Sequence, residues 1–194
     1  MVIYGLWSDG AVIQQNRTIE IRGTSFCNAT VVSCLKTMFP VNEICNISTF
    51  ADKNGFFEIK IPPIKASGVR YSLEILAELN GNSEKEVFNG ISAGEVWLLA
   101  GQSNMAFPIG DSPEKDKVLK DISNMEISFF HIPGFDENQK EYTKRPASPL
   151  INIFSYSTNK KITWEKVQSY EENPENSLLH ISAIGIIFAK SIYK

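Results

Sequence analysis

The chain has 194 residues, 43% of them hydrophobic, with a net charge of −3. That is the composition of a globular protein with enough apolar mass for a core, and the length fits one large domain or two small ones. The weakly acidic balance gives no electrostatic case for nucleic acid, and no apolar run approaches the ~20 residues of a membrane-spanning helix.

The start, MVIYGLWSDG, lacks a basic region followed by a long apolar core, so no secretory signal is expected in it. The protein is read as cytoplasmic, or as exported with its leader removed. From there to residue 90 the chain reads in strands. AVIQQ, TIEIRG, ATVVSCLK, FFEIKI, YSLEILAEL and KEVFNG are short, rich in β-branched and aromatic residues, and separated by turn residues. Asn54-Gly55 and Asn80-Gly81 are hairpin signals, because glycine takes φ > 0 without penalty. Pro62-Pro63 closes a strand, since proline cannot donate to a ladder. TIEIRG and FFEIKI alternate apolar and polar residues, as half-buried antiparallel strands do. Residues 1–90 are therefore expected to form an antiparallel β-sandwich of about six to eight strands.

Cys27, Cys34 and Cys45 are odd in number and match no zinc or redox spacing, so they read as free or buried thiols. A Cys27–Cys34 or Cys34–Cys45 disulfide would require export. The glycosylation triplets Asn28-Ala29-Thr30 and Asn46-Ile47-Ser48 are of a kind that arises by chance in an Asn-rich chain. Asp9-Gly10 and Asp52–Gly55 are turns, because the ligand series of a calcium loop is missing.

The pattern changes after Gly90. EVWLLA, residues 95–100, is a nearly continuous apolar run that suits a strand buried on both faces of a parallel sheet. Trp97 within it reads as core rather than as a ligand platform. Ser112-Pro113-Glu114 marks a helix start, with the helix reaching about Ile122. MEISFFHIP is a second strand, stopped by Pro133-Gly134. The polar stretch 136–176 is loop-rich, with one short hairpin around Trp164. SLLHISAIGIIFAKSIYK places Leu178, Ile181, Ile184, Phe188 and Ile192 near helical spacing, so a buried helix is expected from Ser177. This order implies an α/β layer over 91–194. Two parallel strands leave unpaired edges, and the last helix has no glycine stop. The expected architecture is thus a two-part α+β chain whose second part is the opening of a truncated or split α/β domain.

Gly101-Gln102-Ser103-Asn104-Met105 follows the apolar run at once. In open α/β sheets chemistry sits beyond the carboxyl ends of strands. Gly101 permits a sharp turn, and backbone N–H groups with an Asn or Gln amide are what a tetrahedral oxyanion needs. A serine there also needs a base and an orienting carboxylate. Taken alone, the pattern reads first as a polar turn capped by Ser and Asn. No phosphate loop or dinucleotide fingerprint is present.

GEVWLLAGQSNMAFPI resembles the signature of the sialate O-acetylesterase family, a carbohydrate-esterase branch of the SGNH (GDSL-like) hydrolases. The resemblance extends along most of the chain, in SDGAVIQQNRTIEIRG, DKNGFFEIKIPPIKASGVRYSLEI, EISFFHIP, ITWEKV and HISAIGIIFAKSIYK. It implies a β-sandwich at 1–90 followed by the first part of an SGNH-type α/β/α domain at 91–194. It implies that Ser103 is the nucleophile, with its backbone N–H in the oxyanion hole. Gln102, Asn104 and Gly101 would shape that hole or hold the serine turn. The family's late Asp-x-x-His pair is absent from the residues after Ser103, so the base is expected beyond Lys194. His131 and His180, the only histidines, do not match it, though His131 stays an outside candidate near the sheet rim. Asp111 and Asp116 are explained as helix-start acids.

The activity implied is removal of O-acetyl groups from sialic acid or a related sugar, with acetylated xylan as the other substrate. No metal or cofactor is required. The expected partners are an acetylated carbohydrate and a C-terminal chain or segment that completes the domain, with no nucleic acid and no membrane. The competing reading is a non-catalytic glycan-binding or subunit-docking fragment.

Overall fold

Alternating apolar and polar residues between Met1 and Val96 fold into eight strands, which form one compact unit of the chain. The computed structural model describes residues 1–101, 103–130, 164–166, 179 and 181–193. Strands β1 (Val2–Tyr4), β3 (Ile19–Thr24) and β6 (Phe56–Ile61) make a three-stranded antiparallel sheet in the order β1-β3-β6. Strands β2 (Val12–Gln14), β4 (Thr30–Thr37), β5 (Asn42–Phe50), β7 (Tyr71–Leu79) and β8 (Asn82–Gly94) make a second sheet in the order β2-β8-β7-β4-β5. Every pair in it is antiparallel except β2 with β8. Alternate residues of both sheets are buried, including Ile21, Phe57, Ile59 and Ile61 of the first and Val31, Leu35, Leu73 and Ile75 of the second. This is the pattern of two sheets closed on a shared core. Trp7 is buried against Phe88, their rings 6.0 Å apart.

The two Asn-Gly pairs have different fates. Asn80 and Gly81, with φ of 50° and 83°, join β7 to β8 in a two-residue hairpin closed by Leu79 and Asn82. Both central residues have the positive φ that a type I′ turn demands. Asn54-Gly55 does not make a hairpin, because β5 and β6 belong to different sheets. It instead turns the chain from one sheet to the other, and the Asp52 carboxylate accepts the backbone N–H groups of Asn54 and Phe56 at 2.8 and 2.9 Å.

The three cysteines are free. Cys34 stands opposite Asn46 in the β4–β5 ladder, and Cys45 opposite Leu35. Successive residues of a strand point to opposite faces, so Cys34 and Cys45 lie on opposite sides of the sheet and cannot be bridged in this register. Asn28 and Asn46 are both exposed.

The second unit begins at Trp97. It contains α1 (Ser103–Ala106), a 3₁₀ turn at Ile109–Asp111, α2 (Lys115–Ile122), the two-residue strands β9 (Ser128–Phe129) and β10 (Glu165–Lys166), and α3 (Ala183–Ile192). Its core is Ile109, Val118, Leu119, Ile122, Ile181, Ala183 and Ile186, with Met125, Ile127, Phe129 and Leu179 packed against it. Lys190 of α3 pairs with Asp121 of α2, and the Tyr193 hydroxyl accepts the Glu126 N–H at 3.1 Å. No helix among the described residues is long and apolar enough to cross a membrane.

Four expectations for this region are corrected. EVWLLA pairs with no strand among the described residues, and Leu98 and Trp97 are 89% and 57% exposed. A central strand of a parallel sheet needs neighbours on both edges, and none is described here. Of the strand expected in MEISFFHIP, the described residues 125–130 form only β9, which runs antiparallel to β10, next to Trp164; His131 to Pro133 lie outside the described residues. Helix α2 starts at Lys115, because Ser112 and Pro113 are used in the turn before it, where the Ser112 hydroxyl accepts the Glu114 N–H at 3.3 Å. Helix α3 starts at Ala183 behind the Ser182 cap, and its Ile184 is exposed rather than buried. The part of the final segment from Ser177 to Leu178, and most of the polar stretch 136–176, lie outside the described residues.

Candidate active site

Gln14, at the end of β2, and Gln15 next to it hold the last residues of the first unit. Gln14 and Gln15 donate their amides to the Glu95 carboxylate at 3.0 and 2.8 Å, and Gln14 also accepts the Val96 N–H at 2.8 Å. These hydrogen bonds favour the ionised form and hold Glu95 below the usual carboxylate range. The two glutamines were not singled out from sequence, since nothing local connects them to a residue 80 positions away.

Within the second unit, the segment from Trp97 to Gly101 runs along α3. Trp97 meets Phe188 edge to face at 5.3 Å. Leu99 lies so close to Gly185 that a Cβ there would stand 3.2 Å from Leu99 Cδ1. A Cβ on Gly101 would stand 2.9 Å from Cβ of Met105, closer than two such carbons pack. Gly101 is therefore a steric requirement of the turn into α1, which Ser103 opens.

The same turn is tied to the start of α3. The Ser182 hydroxyl accepts the Gly185 N–H at 3.1 Å and donates to Met105 Sδ, also at 3.1 Å. Just beyond α1, Ala183 N–H donates to the Phe107 carbonyl at 2.9 Å and Ile109 N–H to the Ile181 carbonyl at 2.8 Å. One serine thus caps a helix and holds the residue two after Ser103. Met105 and Ser182 are the positioning residues that sequence reading missed. A cap signal stands in Ser182-Ala183-Ile184, but nothing local in the sequence ties it to Met105, 77 positions earlier.

Of the expected site residues, Gly101 and Asn104 are exposed on either side of Ser103. Gln102, His131 and His180 lie outside the described residues. Asp111 is exposed in the 3₁₀ turn and Asp116 is exposed in the first turn of α2. Asp121 is engaged by Lys190, whose hydrogen bond holds its carboxyl below the usual range. Among the described residues no three of His, Cys, Asp and Glu converge as a metal site would require. The backbone of Ser103 thus opens a one-turn helix that Met105 ties to the start of α3.

No protein-family model and no curated protein matches the chain. Its fold is similar to the crystal structure of a carbohydrate acetylesterase from Xanthomonas citri, with a TM-score of 0.70 at 20% sequence identity. The likeness covers 98% of this chain and 36% of that one, so the chain spans little more than a third of that protein's length.

Proposed function

We propose that the chain is the nucleophile-bearing part of a carbohydrate O-acetylesterase of the SGNH type, a β-sandwich followed by the opening of the hydrolase domain. The observation that carries this reading is the likeness in fold to a carbohydrate acetylesterase over nearly the whole chain. The Gly101–Met105 motif adds the chemistry. Ser103 Oγ attacks the acetyl carbonyl while a histidine takes its proton and an aspartate orients the imidazole. The oxyanion is held by the Ser103 N–H, with Gln102 and Asn104 shaping its surroundings. Collapse of the tetrahedral adduct releases the sugar hydroxyl and leaves an acetyl-serine. Water activated by the same histidine then adds to that ester, and acetate departs. No metal or cofactor is needed for these steps. The acetyl ester of a sialic acid is the leading substrate, and acetylated xylan the alternative.

The histidine and aspartate come, in this reading, from sequence beyond Lys194. The test is acetate release from an aryl acetate and from O-acetylated sialic acid, by 1–194 alone and with the polypeptide encoded after Lys194. Activity only in the combination, lost on Ser103→Ala by at least roughly 10³-fold, is the expected result. Activity of 1–194 alone that Ser103→Ala abolishes would place the base within this chain, with His131 first in line. Sugar binding without acetate release in either case would establish the non-catalytic module.

A further inference from the structure

Three Asn-Gly pairs occur in the chain, at 54–55, 80–81 and 89–90. Such a pair carries its own chemistry. The glycine backbone nitrogen can attack the asparagine carboxamide carbon, and with no Cβ on the glycine nothing shields the approach. All three asparagines are exposed, so the surroundings of each glycine nitrogen decide which pair reacts. Gly55 N–H donates to the Asp52 carbonyl at 2.9 Å, the Gly55 carbonyl accepts the Ser25 N–H at 2.9 Å, and a Cβ there would stand 2.3 Å from the Ser25 carbonyl oxygen. That nitrogen is engaged and its turn is packed. Gly90 N–H donates to Met38 Sδ at 3.3 Å, while Asn89 accepts the Ser72 hydroxyl at its side chain and the Gly10 N–H at its carbonyl, at 2.9 and 2.8 Å. Asn80-Gly81 differs from both. Among the described residues its peptide group makes no hydrogen bond, both residues are exposed, and the space beside Gly81 is open.

We propose that Asn80-Gly81 is a site of spontaneous deamidation, which converts the β7–β8 turn to an isoaspartyl one while Asn54 and Asn89 are spared. A five-membered ring closes only when the Gly81 nitrogen swings to the side of Asn80 Cβ, with Asn80 ψ near about −120°, the value at the first central residue of a type II′ turn. The type I′ turn reaches it by a flip of one peptide plane, with Asn80 φ staying positive near its 50°. The flip takes Gly81 from its φ of 83° to a negative value, which glycine accepts as readily. Types I′ and II′ both serve two-residue loops, so the Leu79–Asn82 pairing survives the flip. Gly81 N then bonds to Asn80 Cγ and gives up its proton, and the side-chain nitrogen of Asn80 leaves as ammonia. Water opens the ring at either carbonyl, giving aspartate or isoaspartate. Isoaspartate puts an extra methylene into the main chain, in a loop whose two-residue span sets the β7–β8 register.

The experiment incubates 1–194 at mildly alkaline pH, folded and again unfolded in guanidinium chloride. It follows the three sites by peptide mass spectrometry, with fragmentation that tells isoaspartate from aspartate. Folded, Asn80 should convert at least about tenfold faster than Asn54 and Asn89, where the glycine nitrogens must first be freed by local opening. Isoaspartate should appear beside aspartate at position 80. Unfolded, the three rates should converge, because the hydrogen bonds that separate them are gone. Comparable rates in the folded chain, or faster loss of Asn54 or Asn89, would overturn the proposal. So would a difference that persists in guanidinium chloride, since it would belong to the flanking sequence. Aspartate as the sole product at position 80 would mean direct hydrolysis without the ring, and would overturn it as well.

Discussion

Ser33 is the one described residue with a buried side-chain oxygen that has no hydrogen-bond partner. It sits in β4 between Ile75 of β7 and Ile47 of β5, a place where a hydroxyl forfeits water and gains nothing. Ser33→Ala should therefore raise stability by roughly 1 kcal/mol, the low end of the cost of an unsatisfied buried group. Urea unfolding checks this, and a lower midpoint would reveal a partner for the hydroxyl. Gly101 makes the opposite case, since its missing Cβ is what lets Met105 close over the turn. Gly101→Ala should destabilise the second unit by about 1–3 kcal/mol, the usual cost of forcing an extra carbon into a packed site. The measure is a lower-midpoint unfolding phase reported by the fluorescence of Trp97. Gly101 was legible in sequence as a turn, but the reason it must be glycine came only from the position of Met105.

At the scale of elements, turn chemistry was readable and pairing was not. Asn80-Gly81 and Asn54-Gly55 look alike in sequence. Only the first joins neighbours in one sheet, because which strands pair is decided by burial across the whole sandwich rather than by the dipeptide. Strand β5 escaped notice because its outward residues, Ile44, Asn46, Ser48 and Phe50, blur the alternation at a sheet edge. EVWLLA was read as a buried strand from its composition, and its composition still fits that role. What it lacks, among the described residues, is a neighbour. Ser182 offers an element-scale test. Ser182→Ala should cost about 1 kcal/mol as a lost helix cap. Ser182→Asn should restore most of that stability through the cap without restoring the hydrogen bond to Met105. Acetate release that stays low in Ser182→Asn would show the second bond positions the Ser103 turn. Full recovery would limit Ser182 to capping.

At the scale of the whole molecule, four surface carboxylates predict a loss of stability in acid. Glu58 is held below the usual carboxylate range by the Arg22 hydrogen bond, Glu84 by the Ser25 hydroxyl, Glu95 by Gln14 and Gln15, and Asp121 by Lys190. Each folded-state value lies below its unfolded one, so the unfolded chain binds protons first as pH falls. The stabilisation is complete above the unfolded carboxylate values of about 4 and is lost as pH drops through the lower folded values. Thermal midpoints should be level from about pH 6 to 5 and fall below about pH 4. The Arg22–Glu58 and Asp121–Lys190 pairs are solvent-accessible, so added salt should shrink their share. A midpoint that rises on acidification would contradict the assignment. The sandwich was legible as a class from its strands and turns. The second unit was legible mainly as a motif, and both histidines fall outside the described residues.

The central claim is that Ser103 is a hydrolase nucleophile once the rest of the domain is present. Labelling the complemented protein with an alkyl fluorophosphonate, followed by peptide mass spectrometry, addresses it most directly. The account predicts one adduct, on the peptide containing Ser103, absent from Ser103→Ala and blocked by prior incubation with acetylated sugar. An adduct on a different serine, or acetate release undiminished in Ser103→Ala, would contradict it.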